Sequence, residues 1–250
     1  MNLNTLTWMM PQYVVAKFPA RYHSSMVWIG GAGYVFGGAT TINPSIQFFY
    51  SNPLADLWKV DFAGPNVVAT QLHPNGTGPF PRMQHCATAL GSDAMLIHGG
   101  VTSSQPFGDT AHPARPIPVT TNTWTNVTGP NDSAILRYAH GCTTIPASGT
   151  PFRFGGYGPN QSSDIELLSW SNATGWVHVN ASGVAPTRTE VDKQITAYED
   201  TLVVADGAKF YYYNSTVNGW VASSASRLAP SSVVTVSGCI LILLISIFSN

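Results

Sequence analysis

The chain has 250 residues with Lys+Arg 11 against Asp+Glu 12, and 44% of it is hydrophobic while only 9% is charged. That apolar content at that length excludes wholesale disorder, and a net charge of -1 leaves no basic face for nucleic acid. Since an average soluble domain carries roughly a quarter charged residues, something other than charge has to keep this surface wet.

The first stretch, 1–18, begins Met1-Asn-Leu-Asn-Thr-Leu-Thr-Trp8, which has neither the positive n-region nor the apolar core of a signal peptide. Leu6-Thr-Trp8 instead reads as the closing strand of an earlier repeat, so the expectation is a fragment whose upstream part, signal peptide included, lies outside this sequence.

Residues 19–221 repeat four times, at about 19–73, 81–128, 137–180 and 186–221. One landmark is an arginine with a nearby histidine: Arg21 with His23, Arg82 with His85, Arg137 with His140, and Arg188 alone. An apolar strand ending in paired glycines follows at spacings of 16, 17 and 18 residues, giving Gly37-Gly38, Gly99-Gly100 and Gly155-Gly156. The fourth copy keeps 18 residues to Asp206 but retains only Gly207. A third landmark is an acidic or aromatic strand, as in Asp56-Leu-Trp-Lys-Val-Asp61, Asp164-Ile-Glu-Leu-Leu-Ser-Trp170 and Lys209-Phe-Tyr-Tyr-Tyr-Asn214. Turns then lead into Trp124, Trp176 and Trp220, whereas copy one has Val67-Val-Ala-Thr-Gln-Leu72 in that place.

Short strands, turn-rich joints and a period near 50 residues are the signature of propeller blades, whose sheets bury their faces only by stacking on neighbours. In this order, Arg-x-x-His, Gly-Gly, Asp and Trp resemble the kelch repeat, as found in kelch propellers and in the propeller of galactose oxidase-like proteins. The resemblance implies an all-β chain with about four blades present, an orphan edge strand before them and a hydrophobic helix or tail after them. Its departures are the lost glycine of copy four, the missing Trp of copy one and a long insertion at 101–117.

Repeat-phased His23, His85 and His140 are expected to be structural, because a metal site needs ligands converging on one point. The four arginines are read as partners for backbone carbonyls or carboxylates between blades. A galactose oxidase-like copper radical oxidase acting on carbohydrates is the alternative function. That enzyme would need two His and two Tyr, one Tyr linked to a Cys, and part of a following domain. His98, His112 and Tyr157 are read as surface-loop residues, and no catalytic constellation, metal site or cofactor is called for.

A non-catalytic binding module remains, recognising a protein or carbohydrate through blade loops. Its candidate contacts sit in the two long insertions: Phe48, Phe49 and Tyr50 within 39–53, and Phe107, His112 and Arg115 within 102–121. Aromatic rings bury area at low entropic cost, which suits such a surface.

Seven sequons, at Asn75, Asn126, Asn131, Asn160, Asn172, Asn180 and Asn214, exceed the roughly three that chance would place, and sugars would then replace the missing charge. Cys86 and Cys142 form no disulfide framework; one bridge between them and two buried small residues are both open, the latter favoured. A small-residue spacer at 222–232 precedes the apolar end 233–250, in which VVTVSGCILILLISIF carries no charge. As a helix those 16 residues rise about 24 Å, slightly short of a bilayer core of roughly 30 Å. Small residues and a short spacer before the tail favour a lipid-anchor signal over a true span, and either would tether the chain to the extracellular face of a membrane.

Overall fold

Side chains that alternate across a strand give each sheet two apolar sides, and stacking those sides organises this molecule. The computed structural model describes residues 12–15, 18–42, 50–63, 66–102, 115–118, 121–125, 127, 137–158, 166–186, 194–206 and 209–221. Among them every regular element is a strand. Sheet 1 contains β1 (Gln12–Val15), β2 (Ser25–Ile29) and β3 (Ala32–Phe36), and a separate hairpin, β4 (Ala39–Ile42) with β5 (Tyr50–Pro53), leaves it before β6 (Leu57–Ala63) and β7 (Asn66–Leu72) return. Its order is β1-β7-β6-β3-β2, with β1 parallel to β7. Sheet 2 holds β8 (Cys86–Leu90), β9 (Ala94–His98) and β10 (Arg115–Pro118). Sheet 3 is the meander β11 (Gly141–Ile145), β12 (Thr150–Phe154), β13 (Leu167–Ser171) and β14 (Gly175–His178). Sheet 4 repeats it with β15 (Gln194–Tyr198), β16 (Thr201–Asp206), β17 (Lys209–Asn214) and β18 (Gly219–Val221). The tail and its spacer lie outside the described residues, as do Leu6 to Trp8.

The strand registers explain the drift from 16 to 18 between Arg and Gly-Gly. Ser25 pairs with Phe36, Cys86 with His98 and Gly141 with Phe154, so the repeats superpose strand on strand. What varies is the first hairpin turn, of two residues at Gly30-Gly31, three at Gly91 to Asp93 and four at Pro146 to Gly149. In sheet 4 the turn again has two residues, Glu199-Asp200, and Gln194 pairs with Ala205. Arg188 lies outside the described residues.

Successive first strands pack in series, β2 on β8, β8 on β11 and β11 on β15. Sheet 1 turns Val27, Tyr34, Phe36 and Leu57 towards Met95, Ile97 and Trp124 of the second copy. Between copies two and three, Leu96 meets Leu168, Trp170 and Trp176. Phe152, Phe154 and Leu167 then meet Leu202, Val204 and Tyr213. Sheets 2 and 3 thus each have a side facing the previous sheet and a side facing the next.

The repeat tryptophans sit in these seams, on the ring before the previous Gly-Gly. Trp124 lies against Phe36 at 5.5 Å, Trp176 against His98 at 5.0 Å and Trp220 against Phe154 at 5.9 Å. In sheet 1 the register puts Ala69 at the tryptophan's position, 2% exposed beside Trp58 and Val35.

Cys86 and Cys142 are joined in a disulfide, Cα–Cα 5.9 Å, which corrects the favoured expectation of two separate buried thiols. They are not equivalent residues of the repeat. Cys86 is the first residue of β8 and Cys142 the second of β11, so alternation turns one forward and the other back across the same seam.

Candidate functional site

The arginines and glycine pairs of the first three copies gather at one end of their sheets, where the second strand of each stops and the first begins. Arg21 donates through Nη1 to Gly37 O at 3.0 Å and through Nε to Pro19 O at 3.3 Å. Arg82 repeats both bonds, to Gly99 O at 2.8 Å and Phe80 O at 3.1 Å. These carbonyls belong to the arginine's own copy, where a neighbouring blade had been expected. Arg21 also grips Asp56 with both Nη atoms at 2.7 and 2.9 Å, and Trp58 Nε1 donates to the same carboxylate at 2.5 Å. Burial pushes the Asp56 carboxyl up, but the bonds from Arg21 and Trp58 outweigh it and hold it below the usual carboxylate range.

The glycine pairs are required by the approach of these segments. Gly38, Gly100 and Gly156 have φ of 91°, 90° and 86°, and a Cβ on them would stand 2.7, 2.7 and 2.6 Å from the carbonyls of Tyr22, Met83 and Tyr138. The second glycine of the pair also reaches the next copy's arginine: Gly38 N donates to Arg82 O and Gly100 N to Arg137 O, both at 2.9 Å.

His23 is not in phase with His85 and His140. It holds a left-handed φ of 53°, as do Gln84 at 53° and Ala139 at 52°, and backbone bonds run from Gln84 N to His23 O and from Ala139 N to Gln84 O. The position that His85 and His140 fill, against the second glycine of the pair, is occupied in copy one by Ser24. His23 is exposed, whereas His85 and His140 are each 7% exposed.

His98, expected in a loop, ends β9 and is 1% exposed, standing where Phe36 and Phe154 stand in the neighbouring copies. Its Nδ1 lies 3.3 Å from His140 Nε2, and the equivalent His85 Nε2 lies 2.7 Å from Ser25 Oγ. Arg153, 1% exposed, takes the register position of Ile97 and lies over the Trp176 ring at 5.6 Å. Burial, followed by the charge of Arg82, pushes His85 down to about 3; burial and then Arg153 hold His98 and His140 well below the ordinary imidazole value. Sequence reasoning missed this polar seam, although His98 in front of Gly99-Gly100, where Phe36 precedes Gly37-Gly38, was its signal. Among the described residues no group of three or more His, Cys, Asp or Glu is placed to hold a metal ion.

The insertions spring from this same end. The β4–β5 hairpin starts at Ala39, directly after Gly38, and the second insertion departs after Val101, next to Gly100. Sheets 1 and 2 are neighbours, so both leave one edge of one face. Phe48, Phe49, Phe107 and His112 lie outside the described residues. Tyr50 opens β5 opposite Ile42, and Arg115 falls in β10 opposite Ile97, so it belongs to a sheet strand and not to the loop. Tyr157 is half-buried and pairs with Tyr138. Of the sequons, Asn75, Asn172 and Asn180 are exposed and Asn214 half-buried, while Asn126, Asn131 and Asn160 lie outside the described residues.

Antiparallel sheets stacked in series, each keyed by arginine, paired glycine and tryptophan at fixed registers, define an all-β protein of the kelch type. The chain belongs to the kelch-repeat family: the KLHDC2/KLHL20/DRC7 Kelch-repeats domain matches residues 1–207. No curated protein matches it.

Proposed function

We propose that this kelch domain is a non-catalytic interaction module that takes a protein ligand on the face where the Gly-Gly ends lie, with Phe48, Phe49 and Tyr50 and the insertion at 103–114 as contacts. The observation that carries it is the shared departure of both insertions from neighbouring sheets, because loops held on a rigid scaffold are where recognition is concentrated. A carbohydrate ligand suits the same aromatic residues. The copper-oxidase alternative has no observation in its favour.

The proposed setting is the outer face of a membrane, with the tail 233–250 as anchor. A disulfide across a seam is at home in an oxidising compartment, and the sequons point the same way. The test is capture of secreted or surface proteins by the full chain and by a Phe48→Ala, Phe49→Ala, Tyr50→Ala variant. Loss of about tenfold or more in affinity for a captured protein is expected if these rings are anchors. Unchanged capture by the variant would sink the assignment of this face.

A further inference from the structure

In the seam between sheets 1 and 2, Ser25 opens β2 and its Oγ lies 2.7 Å from His85 Nε2. One copy on, Cys86 opens β8 in the place of Ser25, and His140 stands in the place of His85. The sulfur of Cys86 is tied to Cys142, and His140 Nε2 lies 3.3 Å from His98 Nδ1 instead. His98 is the cross-strand partner of Cys86, and the buried Arg153 is the cross-strand partner of Cys142, so each cysteine shares its side of the sheet with a nitrogen base or a cation. Arg82 and His85 approach from the segment before β8, and Arg137 and His140 from the segment before β11. After burial, Arg153 is the next cause that holds the imidazoles of His98 and His140 down, with Arg82 acting also on the first and His85 and Arg137 on the second. Burial opposes any charge, but the guanidinium field that opposes an imidazolium favours a thiolate, which also accepts hydrogen bonds from imidazole and guanidinium N–H groups.

We propose that the bond between Cys86 and Cys142 is a redox-active disulfide, opened by thiol–disulfide exchange with a low-molecular-weight thiol of the glutathione class to a dithiol whose sulfurs are held by His140, His98 and Arg153. A glutathione thiolate attacks one sulfur, and the bond between the cysteines breaks as a mixed disulfide forms. A second glutathione thiolate attacks the glutathione sulfur of that mixed disulfide and releases the remaining cysteine. Two electrons pass to Cys86 and Cys142, the two glutathiones leave as glutathione disulfide, and their two protons go to the freed sulfurs or to water. Once opened, Cys86 Sγ stands to His140 Nε2 as Ser25 Oγ stands to His85 Nε2, and Arg153 stands beside Cys142. A dithiol stabilised in this way makes the disulfide more oxidising than a purely structural one, which resists the glutathione pool. The inference rests on the seam between sheets 2 and 3 and is independent of the ligand proposed for the Gly-Gly face.

The experiment equilibrates the full chain in buffers of reduced and oxidised glutathione, starting once from the oxidised and once from the reduced chain. Free thiols are then blocked and counted by peptide mass, which separates Cys86 and Cys142 from Cys239. The bond is expected to open in excess reduced glutathione and to form again as glutathione disulfide is added. Arg153→Ile, which supplies the residue that copy two carries at that position, is expected to shift the equilibrium constant about tenfold towards the disulfide, roughly 30 mV for two electrons. In the reduced chain, the pH at which each sulfur becomes half-reactive towards iodoacetamide reads its thiolate. At least one of the two midpoints is expected below the ordinary thiol value of about 8.5, and to move up in Arg153→Ile. His140→Ser, the residue of copy one at that position, is the second variant and is expected to raise the Cys86 midpoint. Thermal midpoints of the oxidised chains show that each variant folds. A bond that yields to dithiothreitol but closes in excess reduced glutathione from either starting point would overturn the inference. So would two midpoints at or above 8.5, or an equilibrium that neither variant moves.

Discussion

At the residue scale, three buried imidazoles decide how this molecule responds to acid. An unfolded histidine titrates near 6.5. His85 is held down at about 3 and His98 and His140 well below 6.5, chiefly by burial and then by the nearby guanidinium groups. As pH falls below 6.5 the unfolded chain takes up protons that the folded chain refuses. Stability is therefore fully present above 6.5 and lost as pH falls towards 3, at up to about 1.4 kcal/mol per pH unit for each histidine and about 4 for the three together. Urea denaturation at pH 7, 6 and 5 measures the slope. His98→Phe places the ring that Phe36 and Phe154 already carry at that position, so the variant should fold and lose about a third of the slope. A wild-type slope near zero would mean that the imidazoles are hydrated.

At the scale of elements, the three seams differ in chemistry while sharing one geometry. That between sheets 3 and 4 is apolar and that between 1 and 2 is apolar beside one polar contact, His85 Nε2 to Ser25 Oγ, but the middle one holds His98, His140, Arg153, the Thr88–Thr144 hydroxyl pair at 2.7 Å and the disulfide. Polar groups in a seam contribute little net stability, so the covalent link matters most there. A sequence separation of 56 between the cysteines corresponds to about 4 kcal/mol in the chain-entropy account. Reduction, or Cys86→Ala with Cys142→Ala, should lower stability by up to that amount. Hydrogen exchange should rise first in β8 and β11, and exchange that rises equally in β2 and β15 would contradict a local role. What could be read from the chain follows the same division. Gly99-Gly100 and Arg82 were legible because a left-handed backbone and a buried guanidinium admit few other residues. The drift in spacing from arginine to Gly-Gly was not interpretable from the sequence, because hairpin turns absorb two, three or four residues without moving a strand. The cysteine pairing was hidden by its offset of one residue, visible only once the facing sides of β8 and β11 are known.

For the whole molecule, the scarcity of charge has a consequence that depends on which asparagines carry sugar. Asn172 and Asn180 project from exposed turns and strand ends, and a glycan there displaces only water. Asn214 is different, because its side chain builds the turn between β17 and β18. Its Oδ1 accepts from Thr216 N at 3.0 Å and Val217 N at 3.1 Å, and its Nδ2 donates to Asp200 Oδ2 at 2.8 Å. Thr216 Oγ1 donates to the same Asp200 oxygen at 2.9 Å, so the hydroxyl of the sequon is engaged as well. Bonds to Thr216 and then Asn214 keep that carboxylate below its ordinary range. A glycan on Nδ2 removes one of its two hydrogens and leaves the other to serve both the sugar and Asp200 geometry. Glycopeptide mapping of chain made in a secretory host is therefore expected to find Asn75, Asn172 and Asn180 occupied well above Asn214. Asn214→Gln should cost about 1 kcal/mol or more through the lost turn, while Asn172→Gln should change stability little and solubility more. Full occupancy at Asn214 beside bare Asn172 and Asn180 would show that the folded turn has no say in where sugar is added, and bare asparagines throughout would leave the low charge without its compensation.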